Sequence, residues 1–284
     1  MSKLVERLVM FAVGVPATLS IILFLPQKHH LAANSIVIVL SALGAAEFAG
    51  MLAKKNISIG SLEAAILGVS GPVAMTLAVS FDFSYQAIGI IFIISSSWLI
   101  ISRVFASEEA LKDTINRAAG GFAVILYPGM FMTWIIRMSG LPSPKMVILI
   151  FLLIVFANDS AAWVAGLLFG KGNRGILKVS PNKSLAGFIG GILCSTLIGF
   201  GAVFFIPDIF TSYRFPSPLA GLVLGFLSAV AATMGDLGES ALKRSSDIKD
   251  SGHIIPGRGG VLDTIDSLSL AAPVYYVSYW VLFT

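Results

Sequence analysis

The sequence predicts an all-α polytopic membrane protein with about nine transmembrane helices and a cytoplasmic N-terminus. Of its 284 residues, 56% are hydrophobic and only 12% are charged, whereas a soluble domain carries about 25% charged residues. The mean hydropathy is +0.90. These values exclude a water-soluble core, and the distribution of lysine and arginine sets the orientation.

Apolar stretches long enough to cross a membrane recur along the whole chain. A bilayer core about 30 Å thick needs roughly 20 apolar residues in a helix. The third such stretch is interrupted by Glu63 and Pro72, and the ninth is short and rich in tyrosine, so eight to ten spans remain open. The nine predicted spans are residues 8–25, 31–53, 57–81, 85–106, 118–138, 146–170, 184–206, 218–242 and 268–283.

The basic residues lie mainly on one side of these spans. Cytoplasmic loops retain an excess of lysine and arginine, and here fifteen fall on one side and four on the other. The fifteen are Lys3, Arg7, Lys54, Lys55, Arg103, Lys112, Arg117, Lys171, Arg174, Lys178, Lys183, Lys243, Arg244, Lys249 and Arg258. The four are Lys28, Arg137, Lys145 and Arg214. The larger group marks the cytoplasmic side of what we expect to be a bacterial inner membrane.

The two ends of the chain differ in their polar content. No repeat and no low-complexity linker divides the sequence, which favours a single membrane domain. Residues 1–117 are expected to form scaffold helices. Residues 118–284 are expected to form the catalytic region, with cytoplasmic loops at 171–183 and 243–267 that hold most of the unusual polar groups.

Carboxylates within the apolar spans need a partner or a function. A charged side chain at the centre of a membrane helix costs about 2.5–3.5 kcal/mol on insertion scales. Asp159 is embedded in an apolar run, where a structural bond between helices is the alternative to a functional role. Asp236 and Glu239 share a helix face by their spacing, which requires a cation or a base such as Lys243 nearby. For Glu47 we expect pairing between helices.

The last cytoplasmic loop has the composition of a phosphate site. Residues 243–266 contain four bases, four acids and four glycines. Backbone N–H groups at Gly259 and Gly260 could approach a phosphate, while carboxylates such as Asp263 and Asp266 could hold Mg²⁺. The alternative is that the glycines only make turns. His253 is a weak zinc ligand candidate, because it has no Cys or His at metal spacing.

The earlier loop is also basic and contains small residues. Lys178, Ser180 and Lys183 precede the seventh span, and a helix that starts at Ser184 could offer N–H groups to an anion. A plain helix cap by Ser184 is the alternative.

These residues resemble the signature of the phosphatidate cytidylyltransferases, also called CDP-diacylglycerol synthases. The likeness extends upstream through residues 235–240, 178–183 and 159–171, and two positions depart from it: Arg258 replaces the usual His and Thr264 replaces the usual Arg. The positions in register are Ser240, Lys243, Arg244, Lys249, Asp250, Gly259, Gly260, Asp263 and Asp266.

The resemblance implies transfer of a cytidylyl group from CTP to phosphatidate, with Mg²⁺ as cofactor and the lipid bilayer as environment. No nucleic-acid partner is expected, and a homodimer is left open. The implied catalytic residues are Asp236, Asp263, Asp266, Lys243 and Arg244. The implied metal ligands are Asp236, Asp263, Asp266 and Asp159. The implied substrate-binding residues are Lys178, Ser180, Lys183, Lys249, Asp250, Arg258, Gly259 and Gly260.

Two other functions are compatible with the same residues. A CTP-dependent lipid or polyprenol kinase would also need CTP, metal and a lipid, but it would release CDP in place of pyrophosphate. An ion or solute transporter would also explain acids within the membrane spans.

The two departures from the signature generate a first prediction. If Arg258 supplies the charge that the missing arginine would give, Arg258→His should lower kcat/KM for cytidylyl transfer about 10- to 100-fold, the effect of losing one charged hydrogen bond. Adding Thr264→Arg should restore it. Steady-state kinetics of both single variants and the double variant measure this, and an unimpaired Arg258→His enzyme excludes the compensation.

Overall fold

A computed structural model describes residues 3–210 and 217–284, with side chains described from residue 12 onward. Some predictions therefore lie outside the described residues. They concern the side chains of Lys3 and Arg7, the first side chains of the 8–25 span, and Arg214. The described chain is helical and forms no strands. Its helices are α1 Lys3–Phe24, α2 Gln27–Ala53, α3 Ser61–Ser80, α4 Gln86–Ile101, α5 Glu108–Lys112, α6 Thr114–Val124, α7 Thr133–Met138, α8 Pro144–Phe169, α9 Leu185–Phe205, α10 Pro218–Ser245 and α11 Leu262–Phe283.

The predicted fold class is confirmed. Each of the nine predicted spans overlaps a helix, although residues 57–60 and 102–106 lie outside the helices. Among the described residues, six helical segments are long and apolar enough to cross a membrane, namely Gln27–Ala53, Ser61–Ser80, Thr114–Met138, Pro144–Phe169, Leu185–Phe205 and Pro218–Ser245. Ala12–Phe24 and Gln86–Ile101 are shorter apolar helices. The Thr114–Met138 segment joins α6 to α7 through a π-helical turn at Ile125–Met130 that contains Pro128, because proline removes a backbone donor from a regular helix.

The chain divides into two compact units, and the first comprises Met1–Gly140 and Leu242–Ile265. Its described residues include a largely buried ion pair. Arg117 is 5% exposed and forms an ion pair with Glu63, the residue that interrupts the third span. Trp98 Nε1 also donates to Glu63 Oε1 at 2.9 Å, and the Arg117 guanidinium donates to Ser102 Oγ at 3.2 Å. This network stabilises both charges where water is scarce.

The second unit comprises Leu141–Ala241 and Asp266–Thr284. Small residues let its helices approach closely, as is usual in membranes. A Cβ added at Gly191 in α9 would lie 2.7 Å from the Asn158 carbonyl oxygen in α8. The Asn158 amide donates to Thr233 Oγ1 in α10 at 3.2 Å, and Tyr275 in α11 donates to the Val147 carbonyl at 3.1 Å. Hydrogen bonds therefore join α8 to α10 and to α11.

The predicted division of the chain into scaffold and catalytic regions at residue 117 remains a functional prediction. The compact units have other boundaries. Helices α6 and α7 belong to the first unit, and so does the polar segment Leu242–Ile265. The segment belongs to the first unit because Ser251, Val261 and Leu262 donate hydrogen bonds to Glu47 in α2.

The crossing of α9 and α10 generates a prediction about stability. A Cβ at Gly199 would lie 2.8 Å from Gly225 N and Cα, whereas a Cβ at Gly201 would meet only the Phe205 ring at 3.8 and 3.9 Å. Gly199→Ala should therefore lower the free energy of unfolding by about 1–3 kcal/mol through overpacking. Thermal unfolding in detergent measures this, with Gly201→Ala as the matched control. Equal melting temperatures for the two variants would contradict the described crossing.

Candidate active site

Some of the residues predicted to be functional take part in two polar clusters, one in each unit. The loop cluster consists of Glu47, Lys243, Ser251, Gly260 and Asp263 and belongs to the first unit. The second-unit pair consists of Lys183 and Asp236.

Asp263 lies in the first turn of α11, before the apolar part of that helix, and both of its oxygens are bound. Oδ1 accepts from Lys243 Nζ at 2.5 Å. Oδ2 accepts from the backbone N–H of Gly260 at 2.7 Å and of Ser251 at 2.9 Å, and from Ser251 Oγ at 2.9 Å. Burial alone would raise the pKa of this carboxyl group, but the Lys243 ammonium and the two N–H donors outweigh it and hold the pKa below its ordinary value. Asp263 is therefore an anion at neutral pH.

Glu47 in α2 binds the same loop from another side. Its Oε1 accepts from the Val261 N–H at 3.0 Å, and its Oε2 accepts from the Leu262 N–H at 2.8 Å and from Ser251 Oγ at 3.0 Å. The expected pairing of Glu47 between helices is confirmed, since it joins α2 to the start of α11, but the sequence did not indicate its place beside Asp263. The signal that could have found it is the start of α11, because Val261 cannot cap a helix and the first N–H groups need an acceptor from elsewhere.

The glycines of the loop cluster are required by space and by backbone conformation. Gly259 has φ +111°, and a Cβ there would lie 2.7 Å from Asp263 Oδ2; a Cβ at Gly260 would lie 2.7 Å from Gly252 N and would also overlap Ser251 Oγ. Their N–H groups are already used, since Gly260 donates to Asp263 and Gly259 donates to the Ile255 carbonyl at 3.0 Å. The expectation that these two N–H groups face a phosphate is therefore not met in this arrangement.

In the second unit, Lys183 forms an ion pair with Asp236, and both side chains are a little over one quarter exposed. Among the described residues, Lys183 Nζ is the only hydrogen-bond donor to Asp236, and it binds Oδ2. Ser184, directly after Lys183, accepts the Gly187 N–H at 3.1 Å, which confirms the helix-cap alternative. A cation or a base such as Lys243 was expected beside Asp236; the base is Lys183 from the 171–183 loop, whereas Lys243 binds Asp263.

The backbones of α10 and α11 meet beside Asp236. A Cβ added at Gly235 would lie 2.5 Å from the Asp266 carbonyl oxygen. The Asp266 side chain is half-buried, and its Oδ1 accepts the Ser267 N–H at 2.5 Å. Glu239, predicted to share a face with Asp236, is fully buried.

The remaining predicted residues lie near the protein surface. Asp159 is exposed on α8, and Ser180 is half-buried in its loop. Arg244 is exposed and donates to the Ile248 carbonyl at 3.2 Å. The other exposed candidates are Lys178, Lys249, Asp250, Arg258 and His253. Asp236 and Asp263 are therefore each paired with a lysine, whereas the other predicted bases, Lys178, Arg244, Lys249 and Arg258, are exposed.

The carboxylates fit Mg²⁺ by their chemistry and by their partners. Within the described residues, no three His, Cys, Asp or Glu side chains converge on one point, but Mg²⁺ usually binds one or two carboxylates together with substrate phosphates and water. Asp236 suits this mode, because Lys183 uses only Oδ2 and leaves Oδ1 to a metal. Asp263 could bind a metal only if Lys243 moved away from Oδ1.

Comparisons with known proteins agree on one family. The pattern of the Cytidylyltransferase family matches residues 5–282. The chain is 29% identical to a phosphatidate cytidylyltransferase of Staphylococcus aureus over 91% of this chain and 94% of the relative. It is 37% identical to the Rickettsia typhi protein of the same name over 58% of this chain and 71% of that relative. It is 40% identical to the Haemophilus influenzae protein over 45% of this chain, and that alignment spans less than half of the relative, 43%.

The crowding at Gly260 generates a prediction about the loop cluster. Gly260→Ala should displace Ser251, because the added methyl group overlaps its hydroxyl, and should speed amide exchange across residues 250–263. Hydrogen exchange with mass spectrometry measures this. Gly238→Ala is the control, since a Cβ there meets nothing within 4 Å. Unchanged exchange in Gly260→Ala would contradict the described packing.

Proposed function

We propose a phosphatidate cytidylyltransferase activity for this chain, which belongs to the cytidylyltransferase family. The observation that carries the proposal is the family match across nearly the whole sequence. It is supported by the relatives that bear the name phosphatidate cytidylyltransferase, one of which aligns over most of both chains. The chain is then an integral membrane enzyme that converts CTP and phosphatidate to CDP-diacylglycerol and pyrophosphate.

The reaction requires two polyanions to meet. A phosphate oxygen of phosphatidate attacks the α-phosphorus of CTP, a new P–O bond forms, and the bond from the α-phosphorus to the bridging oxygen breaks to release pyrophosphate. Phosphatidate is already anionic near neutral pH, so no residue need remove a proton from the nucleophile. The enzyme must hold both phosphates in line and compensate their charge.

The bases divide into two groups by their surroundings. Lys178, Arg244, Lys249 and Arg258 are exposed, and we assign them to the triphosphate and the lipid phosphate. Their side chains must carry this task because the Gly260 N–H is used by Asp263. Ser180, Asp250 and Gly259 keep the substrate-binding role that the resemblance implies.

The lysines that pair with carboxylates have a different role. Lys243 holds Asp263, and Lys183 holds Asp236. Each pair orients its carboxylate, and each lysine can turn to a phosphate when one arrives. Lys183 therefore joins the substrate-binding residues and Lys243 the catalytic ones.

Within the second unit, Mg²⁺ would be held by Asp236 and Asp266, with Asp159 as a further ligand or support. Asp263 is a separate candidate ligand in the first unit. When bound, the ion supplies positive charge to the phosphoryl oxygens and the leaving pyrophosphate. Asp236 is the strongest candidate among the four, since one of its oxygens accepts no hydrogen bond from the described residues.

The proposed orientation places the site on the cytoplasmic face of a bacterial inner membrane. The support is the fifteen-to-four distribution of bases between the two sides. CTP is a cytosolic nucleotide, so the basic loops would face their substrate.

The direct test uses purified protein with Mg²⁺, CTP and phosphatidate. We expect release of pyrophosphate and formation of a CDP-lipid, and we expect Asp263→Ala to abolish both because it removes the anion that orders the loop. Asp208→Asn, an exposed acid in the Pro207–Ile209 turn, is the control and should retain activity.

The by-product separates the proposal from its alternatives. CDP in place of pyrophosphate would identify a lipid kinase, and solute flux without CTP turnover would identify a transporter. Either result would overturn the proposed activity, as would the absence of any CDP-lipid.

A further inference from the structure

Glu47 is the one acid of α2, and its contacts lie far away in sequence. Its partner Ser251 is 204 residues further along the chain, and Leu262 is 215 residues further. One turn before Glu47, a Cβ added at Gly44 would lie 3.5 Å from the Leu262 side chain and 3.1 Å from that of Ile265. One face of α2 therefore meets the start of α11 through both packing and hydrogen bonds.

The chemistry of the helix end explains why an acid is needed there. The first N–H groups of α11 have no acceptor within their own helix, and the preceding residue, Val261, has no side-chain oxygen. The positive end of a helix also favours a negative charge. Glu47 meets both needs from another helix, since its two oxygens accept the Val261 and Leu262 N–H groups.

Ser251 connects Glu47 to Asp263. The Ser251 hydroxyl lies 3.0 Å from Glu47 Oε2 and 2.9 Å from Asp263 Oδ2. It carries a single proton for these two carboxylates, so its position depends on both. The Ser251 N–H also donates to Asp263, which fixes the backbone of the loop at the same point.

The loop is shaped around the Glu47 carboxylate. A Cβ added at Gly252 would lie 2.8 Å from Glu47 Cδ, and one added at Gly260 would overlap Glu47 Oε2. Two segments of the loop, at Gly252 and at Gly260, therefore contact Glu47 directly through glycine backbone. Removal of this carboxylate would leave an apolar space next to unpaired N–H groups, and the loop would have to rearrange.

We propose that Glu47 is a positioning residue for the reaction, acting on Asp263 through Ser251 and through the backbone at Val261 and Leu262. It touches no substrate in this proposal. Its task is to fix the place and the direction of the Asp263 carboxylate and of the Lys243 ammonium bound to it. The kinetic part of the proposal rests on the proposed cytidylyltransferase activity.

The test compares Glu47→Ala and Glu47→Gln with Glu63→Gln. Misplacement of a catalytic group by about 1 Å can cost on the order of 100-fold in rate. We expect Glu47→Ala to lower kcat about 10- to 100-fold while KM for CTP changes little, because the exposed bases remain. Glu47→Gln keeps one oxygen acceptor and should fall between Glu47→Ala and the native enzyme.

Hydrogen exchange supplies a readout that does not depend on activity. In Glu47→Ala, amides at 251 and 260–263 should exchange faster than in the native protein. Glu63→Gln is the matched control, because Glu63 is also an acid of a membrane helix in the same unit, but it pairs with Arg117 and Trp98. That variant should lose stability and leave both the loop exchange and the kcat of the folded protein unchanged.

Two results would overturn the inference. One is native loop exchange together with native kcat in Glu47→Ala. The other is an equal change of loop exchange in Glu63→Gln, which would show a general loss of stability. If Glu47→Ala does not fold, Glu47→Gln, which keeps the side-chain volume, decides by the same measurements. Native protein without cytidylyl transfer would refute the proposed function, and the exchange data would still judge the role of Glu47 in the loop.

Discussion

The ionised carboxylate of Asp263 is the interaction on which the geometry of the first-unit site depends. It accepts hydrogen bonds from one ammonium group, one hydroxyl group and two backbone N–H groups. Hydrogen bonds to a charged group contribute more to stability than neutral ones, about 1.5–3 kcal/mol each. Since these donors come from α10, from the loop and from the start of α11, one carboxylate fixes the polar segment at three points.

The helices could be predicted from the sequence because lipid leaves the backbone few alternatives. A stretch of apolar residues must satisfy its own N–H and C=O groups, which an α-helix does. The predicted limits were less accurate where polar residues continue a helix. Helix α10 extends to Ser245 beyond the predicted limit of residue 242, and α11 begins at Leu262 and not at residue 268. In both places, charged residues occupy helical turns outside the apolar run.

The candidate site could be predicted in its residue types but not in its pairings. The sequence marked Asp236, Asp263 and Lys183 as unusual, and the structure joins each of them to a charged partner. It indicated only a pairing between helices for Glu47 and not the partner, because that partner is a helix end more than 200 residues away. It also overestimated the free N–H groups near Gly260, since a glycine-rich turn has the same composition whether it faces a phosphate or the carboxylate of its own chain.

The distance in sequence between Glu47 and its partners has a consequence for biosynthesis. Chains grow at about 5–20 residues per second, so the 204 residues from Glu47 to Ser251 take roughly 10–40 seconds to make. During that interval α2 is already synthesised, while the groups that donate hydrogen bonds to Glu47 are not. The Glu47 carboxyl group therefore lacks these hydrogen-bond donors until Ser251, Val261 and Leu262 have been made. The loop that follows α10 thus supplies the hydrogen-bond donors for a helix that is synthesised much earlier.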